Sequence, residues 1–153
     1  MNASSPKDSD LFYTCSLIEF IGRKTRQRRG RVVRLLGRRN LRHILDYADV
    51  LHCEVIDAPA DHFIAECRIP QGDYDNVAAC QYRIPSHWDI GKVFARLILD
   101  VHRGGDLIDT LVDVYTSFMA DAISNYNSDL YYQSRGYLKV FYECGGLVPD
   151  DEL

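Results

Sequence analysis

The residues whose chemistry stands out lie between Arg23 and Arg42, a stretch with ten Lys/Arg and no Asp/Glu. Guanidinium groups at this density neutralise phosphates or carboxylates and grip them through paired N–H groups. Arg23, Arg26, Arg31, Arg34, Arg38, Arg39 and Arg42 are therefore candidate partner- or nucleic-acid-binding side chains, and His43 follows directly. Two spacings set an imidazole four to six residues after an arginine: Arg38 and Arg39 before His43, and Arg96 before His102. Such a pair can orient a scissile phosphate with one group and move a proton with the other. At this content of Arg and His, on the order of one such pairing arises by chance, so the spacing alone does not establish catalysis.

A second set of groups has pocket chemistry. His52, Glu54, His87, Trp88 and Asp89 combine imidazole, carboxylate and indole, and Trp88-Asp89 falls where a helix should begin, a place suited to an anion or ligand. His52, Cys53, Asp57, His62 and Cys67 form the densest group of potential metal ligands but lack the short Cys-x-x-Cys spacing of structural zinc sites, so no metal and no cofactor is expected. Five cysteines at irregular spacing read as reduced thiols. Asp106, Asp109 and Asp113 make an acidic stripe, and Tyr131 and Tyr132 belong to a Tyr-rich stretch suited to an interface.

These groups need a scaffold, and the chain supplies one in helices. The 153 residues carry a net charge of −4, which hides +10 over residues 23–42 against −12 over residues 43–153. Leu11 to Ile21 is apolar apart from Glu19 and predicts a helix buried on several sides. Arg28 to Leu36 and Asn40 to Cys53 predict two more, separated at Gly37, and Asp57-Ala58-Pro59 opens another that reaches Cys67. Ser86-His87-Trp88-Asp89 is a capping box, and Ile90, Val93, Phe94, Leu97, Ile98 and Val101 follow it at helical period. Gly104-Gly105 stops that helix and Asp106 caps one long successor through Tyr126, which predicts a C-terminal antiparallel hairpin as the core. Ser134 to Cys144 predicts a last helix. The reading is a single all-α bundle of six to seven helices over residues 11–146, between a disordered 1–10 and an acidic tail at 147–153. Neither a membrane span nor a secretory signal is present in the sequence, and a cytoplasmic location is expected.

Two resemblances bear on function. The Arg-to-His spacings are similar to the active-site pattern of HEPN ribonucleases, in which both side chains act at the scissile phosphate. Phe20-Ile21-Gly22-Arg23-Lys24-Thr25, Tyr47-Ala48-Asp49-Val50-Leu51-His52-Cys53-Glu54, Ile84 to Val93 and Tyr126 to Tyr132 resemble small bacterial all-helical proteins loosely associated with toxin–antitoxin-like modules. That second resemblance implies an antitoxin or accessory role and no residue-level chemistry. The expectation is a non-enzymatic interaction protein that binds a protein partner or a second copy through its charged and Tyr-rich faces. Nucleic-acid binding or HEPN-like cleavage through residues 23–42 and His43 is the alternative.

Overall fold

A helix that is apolar nearly all round must be enclosed, and the helix around Leu11–Ile21 becomes the centre of the molecule. In the computed structural model, which describes residues 6–147, this is α1 (Pro6–Thr25). Leu11, Cys15, Leu17, Ile18 and Ile21 are fully buried, and so are Thr14, Ser16 and Thr25. The three hydroxyls are tolerated there because each donates to the carbonyl four residues back, at Asp10, Phe12 and Ile21. The helix starts earlier than expected, so residues 6–10 are helical and not disordered. Residues 1–5 and 148–153, the remainder of the expected disordered start and most of the expected acidic tail, lie outside the described residues.

Around α1 stand α2 (Arg29–Asp46), α3 (Ala48–Leu51), α4 (Asp57–Glu66), α5 (Asn76–Ala79), α6 (His87–Val101), α7 (Leu107–Tyr115), α8 (Phe118–Ser124) and α9 (Arg135–Glu143), with a 3-10 turn at Leu130–Tyr132. The fold is all-α, and the described residues contain no strand and no helix long and apolar enough to cross a membrane. The helical segments outnumber the six or seven expected because α3 and α5 are single turns and one expected helix is broken. Gly37 has φ +76° and ψ 163°, so α2 is interrupted where a break was predicted.

The capping box forms as the sequence requires: Ser86 Oγ accepts from the Asp89 amide at 3.0 Å, and the Asp89 carboxylate accepts from the Ser86 amide at 2.9 Å. Asp106 caps α7, accepting from the Ile108 amide at 3.0 Å. The long helix expected after it divides, because Thr116 Oγ1 donates back to the Val112 carbonyl and Ser117 turns to cap α8. The expected hairpin is not the core. The most extensive packing is α6 along α1, followed by α1 with α2 and α2 with α7. The α1–α6 crossing is close because Gly91 has no side chain: a Cβ there would sit 2.1 Å from Ser16 Oγ and 2.7 Å from the Ser16 backbone. Asp57 opens α4 without capping it, since Ile56 occupies the cap position.

Candidate functional site

The basic segment contains one residue that never reaches the surface. Arg29 is fully buried, and so is Glu19 from the apolar face of α1. Their contact is bidentate, with Arg29 Nε donating to Glu19 Oε1 at 3.0 Å and Nη2 to Oε2 at 3.1 Å. Arg29 also donates from Nη1 to the Gln27 carbonyl at 2.8 Å and from Nη2 to Asn76 Oδ1 at 3.0 Å, and Asn76 donates onward to the Ser124 carbonyl. Arg23 Nε and the Tyr126 hydroxyl also donate to Glu19. Arg23 reaches the Pro85 carbonyl at 2.7 Å as well. One carboxylate thus ties α1 to the start of α2 and to segments around residues 76, 85 and 126. Burial disfavours its charge, but the attraction and hydrogen bonds of Arg29, then Arg23 and the Tyr126 hydroxyl, outweigh that and hold the Glu19 carboxyl below its ordinary value. Gly22 makes room, because a Cβ there would lie 2.3 Å from Arg29 Cδ.

The rest of the segment divides by pairing. Lys24 faces Asp61 at 2.6 Å and Asp57 at 3.6 Å, and Arg28 faces Asp121 at 3.2 Å while lying over the Tyr74 ring. Arg38 pairs with Asp109 and Arg42 with Asp106, joining α2 to α7. The hydrogen bond from Arg42, with the Ile108 amide, lowers the Asp106 carboxyl below its usual range. The acidic stripe therefore meets the basic segment inside one chain at Asp106 and Asp109; Asp113 is exposed and makes no ion pair among the described residues. Arg26, Arg31, Arg34 and Arg39 are exposed and have no carboxylate within ion-pair distance among the described residues. Arg31 and Arg34 stand one turn apart on α2.

The two Arg–His spacings fall in different surroundings. His43 is exposed, its ring 4.7 Å from Tyr47, with Arg38 held by Asp109 and Arg39 exposed one turn before it on α2. His102 Nδ1 lies 2.7 Å from Thr110 Oγ1, and Arg96 lines a different recess of about 210 Å³ with Tyr131, Tyr132, Asp100 and Arg135. In that recess Arg135 grips Asp100 at 2.6 and 2.9 Å, and Tyr132 is strongly exposed beside a half-buried Tyr131. Among the described residues no group of three or more His, Cys, Asp or Glu side chains is placed to hold a metal ion.

The expected pocket exists in part. His52 and Trp88 line a cavity of about 420 Å³ where α1, α3 and the first turn of α6 meet. Its other chemically distinct walls are Asp10, Phe12, Tyr13 and Asp49. Glu54 is exposed and not in the wall, and Asp89 is spent on the capping box. His87 is held between Phe20 and Trp88, at ring distances of 5.1 and 4.7 Å, with its Nε2 buried and unpartnered. Burial, then Arg23, holds the His87 imidazolium below its ordinary pKa.

The chain matches no protein-family model, no curated protein and no solved structure. Its chemistry has to be read from two features: the unmatched arginines of α2 and the aromatic cavity beside α3. Sequence reasoning missed Phe12, Tyr13 and Asp10 because they follow the periodicity of α1 and carry no motif. The lone Glu19 in an apolar helix was the one legible sign of the buried network.

Proposed function

We propose that this chain is a non-enzymatic interaction protein that docks an acidic protein partner on the arginine face of α2. The observation that carries the reading is the incomplete internal neutralisation of the basic segment. Arg23, Lys24, Arg28, Arg29, Arg38 and Arg42 have carboxylate partners within the described chain, whereas Arg26 before α2 and Arg31, Arg34 and Arg39 on it present their guanidinium groups to solvent. Exposed guanidinium groups held on a helix are the usual means of reading carboxylates across an interface. The buried Glu19–Arg29 contact supports this by fixing where α2 leaves α1, so Arg31 and Arg34, on the part of α2 before the Gly37 break, are set out in advance of binding. A role as an antitoxin or accessory component, acting by occupying another protein in the bacterial cytosol, belongs to the same proposal.

The test is binding of a fluorescent Glu-rich peptide to the full chain, with Arg31→Glu/Arg34→Glu/Arg39→Glu as the variant. Salt-sensitive binding lost in the variant is expected. Binding equal in both proteins would refute the assignment. Nucleic-acid binding is the second reading, supported by the same exposed arginines, since phosphates want the same donors. A ribonuclease using His43 would have to rely on Arg39, because Arg38 is engaged by Asp109, and the His43 ring lies against Tyr47.

A further inference from the structure

We propose that the cavity between α1, α3 and α6 binds a small quaternary ammonium cation. The site is separate from the arginine face and does not depend on how that face is used. Four rings line it: Phe12 lies 5.8 Å from Trp88, and Tyr13 lies 6.4 Å from both Trp88 and His52, with the ring pairs tilted by 43° to 58°. Aromatic faces carry negative quadrupole density, and several around one centre attract a weakly hydrated cation. Asp10 and Asp49 supply formal negative charge at the same cavity, and among the described residues no Lys or Arg lines it.

The electrostatics of the cavity run in the same direction. Burial, then Asp49 and Asp46 against the opposing effect of His52, raises the Asp10 carboxyl above its ordinary value, so negative charge is crowded where a cation would relieve it. Burial, then Glu54, pushes the Tyr13 phenol up to about 12, which keeps that ring a neutral wall. Trp88 remains 39% exposed, leaving a route in from solvent. The volume of about 420 Å³ falls within the range of small-molecule pockets. A quaternary ammonium suits the four rings better than a primary one, because it is weakly hydrated and gives up less on meeting aromatic faces.

Trp88 is the only tryptophan in the chain, so its emission reports on this cavity alone. Choline chloride titrated into the full chain, with sodium chloride holding ionic strength constant, should change that emission saturably. The neutral alcohol in which carbon replaces the ammonium nitrogen should bind about tenfold more weakly. Asp49→Asn, at an exposed position, and Phe12→Leu should each weaken choline by about tenfold while thermal unfolding shows both variants folded. No saturable response to choline, equal binding of the neutral alcohol, or unchanged binding in folded Asp49→Asn and Phe12→Leu would overturn the proposal.

Discussion

Replacing Glu19 by Gln removes one charge and leaves the shape of the side chain almost unchanged, which makes it the cleanest probe of the buried network. Arg29 is fully enclosed and donates two of its hydrogen bonds to that carboxylate. The amide of Gln offers one acceptor oxygen where the carboxylate offers two, and its NH2 group opposes a guanidinium N–H. Arg23 and Tyr126 lose part of the same acceptor. Breaking a buried pair by removing one partner costs about 3–5 kcal/mol, because an uncompensated charge stays behind. Against a total stability on the order of 5–15 kcal/mol, that is a large fraction. Urea unfolding followed by circular dichroism should show a much lower midpoint with an unchanged slope, and a melting temperature lower by roughly 10 °C. The double replacement Glu19→Leu/Arg29→Met should recover most of the loss, since apolar groups of similar volume replace buried ion pairs at little cost. A loss below about 1 kcal/mol in Glu19→Gln would refute the reasoning, because it would mean that Arg29 finds water or another acceptor.

Three further outcomes follow from the same geometry. Gly22→Ala should destabilise the fold by about 1–3 kcal/mol by forcing the Arg29 side chain aside, measured by urea unfolding. Gly91→Ala should also destabilise, despite alanine's better helix propensity, because the Ser16 backbone stands in the way; a stabilised variant would show that α1 and α6 separate easily. Stability should fall on acidification in two stages, read from unfolding midpoints between pH 7.5 and 3. His87, whose folded pKa is depressed by burial and then Arg23, contributes stability present above its unfolded value of about 6.5 and lost as pH falls toward the folded one. Glu19, depressed because its Arg29, Arg23 and Tyr126 partners outweigh burial, contributes stability present above about 4.5 and lost below it. The first stage should be absent in His87→Phe.

What was legible in the sequence is what local chemistry decides. Ser86 and Asp89 announce the start of α6 because a capping box satisfies its own donors within four residues, and Gly37 breaks α2 because its backbone occupies the left-handed region of φ. The split between α7 and α8 was hidden, since Val112, Tyr115, Phe118 and Met119 keep helical period straight through Thr116 and Ser117. The matching of Arg38 and Arg42 to Asp109 and Asp106 was visible as complementary charge, although whether it would close within one chain is a matter of tertiary packing. The Glu19 network joins groups 10, 57 and 107 positions away, and the aromatic cavity gathers four rings from three elements. Neither leaves a spacing that a linear reading can find.

The most direct test of the interaction reading compares an acidic peptide with a single-stranded RNA of equal net charge, both binding the full chain over a range of salt concentrations. The account predicts that the peptide binds more tightly and that both signals vanish in Arg31→Glu/Arg34→Glu/Arg39→Glu. Tighter binding of the RNA, with a steep salt dependence of about −0.7 per phosphate contacted in the logarithm of affinity, would contradict it in favour of nucleic acid.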